Sequence, residues 1–398
     1  MITILLQTFA ACVSLGAQTL RAEELDAFAA RWAAVADRYN DTAERQNIAG
    51  SSLYFLHEGE IVAAEHFGMA DIANGRAVDA DTIYHWASVT KTFTAVAAMQ
   101  LVERGLISLD DPVSKYLPEV RKVHNPYGPM DEVTLRHLIT HSSGFRNPTF
   151  PWGGDEDWHP FEPADWSQVA AMMPYSEIAF KPGSKYSYSN PGLSMLGRVV
   201  EEATGDDIEI YITKNIFMPL GMTSSYFDVT PYHLLAHRSN NYLIENGAPE
   251  AQGLDFDTGA TKGNGGLNAP VSDMVKWLNF WLGANDNGTY ETILPRKTLQ
   301  KMWRPVLPAN DDPPMDQHIG MGFFQIDHAP AGGGKARRYV GHTGDQKAFT
   351  VFVYADPATN AAAIFASNTL DENIPPAEAL LRRTRKDLFE TIFPLFAE

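Results

Sequence analysis

The chain has 398 residues and a formal net charge of -18. That length admits a large buried core, in one interrupted domain or two closely packed ones, and the acidic balance repels nucleic acid, which is set aside as a partner. The single cysteine, Cys12, excludes an intrachain disulfide, and no tight Cys/His cluster offers the roughly four ligands of a structural zinc site.

In chain order, residues 2–20 carry no charge, run apolar and end in small residues, with Ala17 and Ala22 as cleavage points. The segment is short for a membrane span and broken by Gln7, Thr8 and Gln18, so residues 1–22 read as a signal peptide although no Lys or Arg precedes the apolar run. Phe9-Ala10-Ala11-Cys12 also resembles a lipoprotein signal loosely, with Phe in place of the expected Leu. Export to the periplasm or medium, with no stable membrane span after processing, is the expectation.

Leu25, Phe28, Ala29, Trp32, Val35 and Tyr39 then fall at helical spacing. Two apolar runs, 52–56 and 61–64, flank Glu58-Gly59-Glu60 as a hairpin. A long middle follows, with helices predicted over 92–105, 194–204 and 274–282, the first two ended by Gly105 and Gly205. Trp152, Trp158 and Trp166 sit in a Pro-, Gly- and Asp-rich stretch expected to be a loop over a site. The C-terminal part returns to short apolar runs, at 321–326, 338–341, 349–354 and 361–366, joined by turns too short for parallel crossovers. Phe349–Tyr354 barely alternates, as expected of a strand buried on both faces. A final helix sets Leu381, Leu388 and Ile392 against a solvated basic run of Arg382, Arg383, Arg385 and Lys386.

The fold class is therefore α/β (α+β): an antiparallel sheet flanked by N- and C-terminal helices, interrupted by a large, mostly helical insertion. Residues 23–85 and 315–398 are assigned to the sheet domain and 86–314 to the helical one. A pocket is expected where they meet.

Three short motifs could carry chemistry. In Ser88-Val89-Thr90-Lys91, placed at the start of a helix, the hydroxyl and the amine lie on one face. Burial would lower the Lys91 pKa and let it exchange protons near neutral pH, and the helix N-terminus favours a developing oxyanion. Tyr188-Ser189-Asn190 lies on a loop leading into a helix, where Tyr188 offers a phenol as base and Asn190 an amide for a substrate carbonyl. Gly341-His342-Thr343-Gly344 ends an apolar strand, its glycines allowing a ligand close to the backbone and Asp345 supplying an oxyanion N–H. Each motif alone is weak. Their order and placement match Ser-x-x-Lys, Ser-Asp-Asn and Lys-Thr-Gly of β-lactamases and penicillin-binding proteins.

On these motifs, and on 101–118, 134–144, Pro219-Leu220-Gly221-Met222 and Gly265-Gly266-Leu267, the chain resembles the class C β-lactamase-like superfamily. That group includes D-Ala-D-Ala carboxypeptidases, D-aminopeptidases and family VIII carboxylesterases. The resemblance implies a β-lactamase/transpeptidase-like fold and a serine hydrolase without cofactor or metal. It makes Ser88 the acylated nucleophile, Lys91 its activating partner and Tyr188 the base. Asn190, His342, Thr343, Gly344 and Asp345 become the substrate and oxyanion contacts. The partner implied is a small ester, amide or peptide. His342 stands where β-lactamases of the group carry lysine, so its pull on a substrate carboxylate should be weaker and pH-dependent. Asp345 puts a carboxylate beside the anion-binding edge, with Lys347 close in sequence. Both favour a carboxylesterase of neutral esters over a D-amino-acid peptidase or β-lactamase. The pair His137 and His141 lacks the metalloprotease Glu and reads as structural, no Gly-x-Ser-x-Gly elbow is found, and a non-catalytic binding relative is the other-class alternative.

Overall fold

The computed structural model describes residues 22–145, 163–255, 257–309, 316–331 and 333–396. The predicted signal segment, all but Ala22, lies outside them, as do Trp152 and Trp158 of the tryptophan-rich loop.

Helix α1 (Ala22–Arg45) buries Phe28, Trp32, Val35 and Tyr39 along one face, the residues whose spacing predicted it. Strands β1 (Gly50–His57) and β2 (Glu60–Asp71) form the expected hairpin. Its tip, Glu58-Gly59, has positive φ at both residues (51° and 84°), the geometry of a two-residue turn that matches strand twist. A short β3 (Arg76–Ala77) follows on β2. The middle of the chain supplies α2 (Thr90–Glu103), α3 (Asn190–Thr204) and α4 (Val271–Leu282). Gly205 and Gly283, at φ 76° and 74°, stop the last two. Strands β4 (Leu307–Pro308), β5 (Asp316–Ile319), β6 (Phe324–His328), β7 (Arg337–Gln346), β8 (Phe349–Asp356) and β9 (Ala361–Ser367) precede α5 (Leu380–Asp387).

Among the described residues these strands make one nine-stranded sheet, ordered β3-β2-β1-β9-β8-β7-β6-β5-β4, with every neighbouring pair antiparallel. The two ends of the chain meet at its centre, where Leu53 pairs with Phe365. Leu53, Phe55, Phe352 and Phe365 point to one face, against α1 and the C-terminal residues Phe389 and Phe393. Tyr54, Leu56, Val351, Val353 and Ile364 point to the other, against Phe93 of α2 and Trp277 of α4. Both faces are covered, which is why the central strands read as apolar runs without alternation. No described helix is long and apolar enough to cross a membrane.

The structure corrects three local expectations. The run 321–326 is not one strand: Gly322, at φ 76°, turns the chain against α2, and β6 begins at Phe324. Strand β7 does not end at His342-Thr343-Gly344 but continues to Gln346, paired through to Phe349 of β8. Its polar residues face a cleft, so the sequence there lacks the apolar signature of a strand. The basic run of α5 is not wholly solvated. Arg385 is 2% exposed, with its guanidinium 5.6 Å from the centre of the Tyr354 ring.

Phe55 is fully buried between α1 and the C-terminal aromatics, with ring centres 5.0 and 5.3 Å from Phe393 and Phe396. Phe55→Ala should destabilise the fold by about 3–5 kcal/mol, measured as a lowered denaturation midpoint with an unchanged slope.

Candidate active site

The Ser88 turn is built by a small sheet. The strand Ile83–His85 pairs with Leu267–Pro270, and the Trp86 indole N–H donates to the Ala269 carbonyl at 2.9 Å. The chain then bends through Ala87, a non-glycine residue at φ 45°, and a single 3₁₀ turn carries Ser88 into α2. Such a conformation costs roughly 1–3 kcal/mol and persists only where surrounding packing imposes it. Here it presents Ser88 to a cleft while its neighbours Ala87 and Val89 stay buried.

Lys91 follows one turn later and is fully buried. Its Nζ lies 2.8 Å from Ser88 Oγ and donates to the Asn264 carbonyl at 2.9 Å. Burial holds its pKa well below that of an ordinary lysine. Once deprotonated, the amine keeps an N–H for Asn264 and has a lone pair for the Ser88 hydroxyl, an arrangement fit to take the proton.

Tyr188 brings its ring centre to 5.0 Å from Lys91 Nζ. The loop that carries it ends at Ser189, whose Oγ accepts from the Gly192 N–H at 3.0 Å and caps α3, so Asn190 is the first residue of that helix. Strand β7 closes the other side. A Cβ on Gly344 would lie 2.6 Å from the Trp86 carbonyl oxygen and 3.0 Å from Ala87 Cβ. A Cβ on Gly341 would meet the Val353 carbonyl at 2.1 Å. These glycines admit protein neighbours: Gly341 lets β8 pack closely, and Gly344 lets β7 press on the Ser88 turn. Ser88, Tyr188, Asn190, His342, Thr343, Gly344 and Asp345 all line one cleft of about 630 Å³, with Lys91 beneath it. Sequence reasoning missed the Asn264 carbonyl, a backbone contact that no side-chain motif reveals, although Gly265-Gly266-Leu267 stood beside it. Phe324, in the cleft wall, was also missed.

A beta-lactamase family model matches residues 26–385. The chain belongs to the beta-lactamase family. Among its relatives, protein flp of Staphylococcus aureus (strain COL) is 24% identical over 332 residues, which cover 83% of this chain and 62% of that protein. Esterase EstB of Burkholderia gladioli is 33% identical over 221 residues, 52% of this chain and 56% of the esterase. The chain thus spans less than two thirds of the length of either. An octameric penicillin-binding protein homologue from Pyrococcus abyssi shares the fold at a TM-score of 0.72 and 24% identity, covering 91% of this chain and 79% of that one. A class C beta-lactamase does so at 0.72 and 18% identity, covering 92% and 97%. These two likenesses show the fold, shared with a penicillin-binding protein homologue and a class C beta-lactamase.

Two residues give this member of the beta-lactamase family its own electrostatics. His342 is 1% exposed and its Nδ1 donates to the Thr343 carbonyl at 2.5 Å. Burial, then the neighbouring Lys91, pushes its pKa down to about 3. His342 is therefore neutral across the working range, and the expected pH-dependent attraction for a carboxylate is corrected to none. Asp345 is exposed at the mouth of the cleft. Partial desolvation between the cleft walls, then Glu372 across the same cleft, raise its carboxyl to about 6. Lys347 occupies the exposed β7–β8 turn at φ 51°. The paired histidines act separately: His137 Nδ1 accepts from the Thr134 N–H at 3.2 Å, and His141 Nδ1 from the Ser189 N–H at 2.9 Å. No group of three or more metal-ligating side chains occurs among the described residues.

Gly344→Ala should push β7 off the Trp86-Ala87 turn. The expected result is a fall of about tenfold or more in kcat/KM with a folded circular-dichroism spectrum, since a misplacement of about 1 Å near reacting groups costs on the order of a hundredfold.

Proposed function

We propose that this protein is a carboxylesterase of small, neutral acyl esters that works through an acyl-enzyme on Ser88. The observation that carries the reading is the buried, proton-poor amine of Lys91 at 2.8 Å from Ser88 Oγ. Ser88 Oγ attacks the ester carbonyl as Lys91 takes its proton. The oxyanion forms against the backbone N–H groups of Ser88 and Asp345. Collapse breaks the ester C–O bond, and the leaving alcohol receives the proton through Lys91 and Tyr188. Water then adds to the acyl-enzyme, giving its proton to the same pair, and releases the acid with Ser88 restored. Asn190 holds the substrate carbonyl side. Export by loss of the apolar segment 1–22 belongs to the same proposal.

Two facts favour esters. The ester-named relative EstB is the more similar of the two relatives over the stretch it matches. The β7 edge beside Ser88 offers a neutral His342 and an ionisable Asp345 where an anionic substrate would need a cation, the arginines of the cleft, Arg382 and Arg385, being carried by α5. A D-amino-acid peptidase that binds a free ammonium is the second reading, favoured by the facing carboxylates of Asp345 and Glu372. A non-catalytic binding protein would have no use for a proton-poor lysine beside a serine.

The test compares kcat/KM for p-nitrophenyl butyrate with that for a chromogenic cephalosporin, with Ser88→Ala as blank. Fast ester turnover, negligible cephalosporin turnover and a loss of about 10³-fold or more in Ser88→Ala are expected. The reverse preference would sink the esterase reading. A pH series sharpens the test, because Asp345 ionises through about 6. Protonated below that pH it does not repel a carboxylate, and charged above it it does. The ester-to-cephalosporin ratio of kcat/KM should therefore rise between pH 5 and 7.5, and Asp345→Asn should flatten the rise.

A further inference from the structure

His141 packs behind the loop that presents Tyr188. It is fully buried and sits at φ 50°, a turn that directs its carbonyl and its ring to the same loop. The carbonyl accepts from the Ser187 N–H at 2.9 Å, and ring Nδ1 accepts from the Ser189 N–H at 2.9 Å. The N–H groups of both residues flanking Tyr188, Ser187 and Ser189, are thus tied to one residue. The imidazole also lies nearly parallel to the Tyr188 ring, with centres 4.6 Å apart at 17°. Because Nδ1 accepts, the neutral ring carries its proton on Nε2, and that buried atom has no hydrogen-bond partner among the described residues. An unpartnered buried donor costs roughly 1–3 kcal/mol, so a residue kept only for packing would be better served by an apolar side chain. What histidine supplies here, and an apolar residue cannot, is a flat face and an acceptor on the same ring.

We propose that His141 is a positioning residue, clamping Tyr188 beside Lys91 through the Ser189 N–H···Nδ1 hydrogen bond with its ring stacked on the phenol. Neutrality suits this role. Burial, reinforced by Lys91 and His342, keeps the His141 pKa well below its usual value, whereas a ring protonated at Nδ1 would lose the bond to Ser189. The proposal rests on the reading of Tyr188 as the base.

Two variants separate the parts. His141→Phe keeps a ring and removes the acceptor. His141→Asn removes the ring but sets Oδ1 near the position of Nδ1, and asparagine tolerates positive φ. With p-nitrophenyl butyrate, His141→Phe should lose about 30–100-fold in kcat, with KM within about threefold and a displaced pH profile of kcat. His141→Asn should stay within about tenfold of the parent. Wild-type kcat and pH profile in His141→Phe, or an equal loss in both variants, overturns the clamp. Should His141→Phe fail to fold, ¹⁵N NMR of the parent protein decides: an unprotonated Nδ1 supports the bond to Ser189, and a proton on Nδ1 overturns it. Tyr188→Phe is assayed alongside. Normal turnover there overturns the base assignment and the clamp with it, while impaired Tyr188→Phe beside unaffected His141→Phe overturns the clamp alone.

Discussion

The amine of Lys91 is buried completely, and the rest of the site is arranged around that fact. An ammonium at this depth pays a desolvation cost that only a paired carboxylate would offset, and burial itself is what drives the pKa down. The burial follows from α2, whose residues from Thr90 to Leu101 are all buried, so the helix runs through the core rather than along the surface. Phe93 stacks on Trp277 with ring centres 3.9 Å apart, and Thr94 donates to the Gly263 carbonyl. The helix cannot rotate or slide without breaking these contacts, and the 2.8 Å approach of Nζ to Ser88 Oγ is fixed with them.

Three distant segments must converge on that fixed point, and each does so through a backbone feature. The Ser88 turn accepts a positive φ at Ala87. Strand β7 approaches the turn because Gly344 has no Cβ. The Tyr188 loop is held by a helix cap at Ser189 on one side and by His141 on the other. Rigid elements hold all three, as is needed where groups must act within a few tenths of an ångström.

The proposed selectivity sits one step further out, in charges rather than in the proposed catalytic groups. His342 and Asp345 are three residues apart on one strand, yet enclosure lowers the pKa of buried His342 while partial desolvation beside Glu372 raises that of exposed Asp345, and both end closer to neutrality than in water. Around neutral pH the imidazole is uncharged and the carboxylate mostly charged. This pair supplies no cation for an anionic substrate at the β7 edge, which is the electrostatic basis of the proposed preference for neutral esters; the arginines of the cleft, Arg382 and Arg385, belong to α5.

Much of this was legible in the sequence. The alternation-free apolar run at Phe349–Tyr354, the spacing of α1 and the helix stop at Gly205 follow from local physics: side-chain periodicity and the conformational freedom of glycine. The motif residues Ser88, Lys91, Tyr188 and Asn190 announced themselves because nucleophile, amine and phenol are few in kind and their order matches a known set. What the sequence left undetermined was set by long-range contact. The extension of β7 through a polar stretch depends on pairing with β8, the burial of Arg385 on Tyr354, and the neutrality of His342 on its enclosure near Lys91. His141 is the plainest case: in sequence it is one of two histidines a helical turn apart, and its role depends on Ser189, which reaches its Nδ1 across 48 positions of chain. Local patterning decides which elements form, but burial and charge are sums over neighbours that only the folded chain brings together.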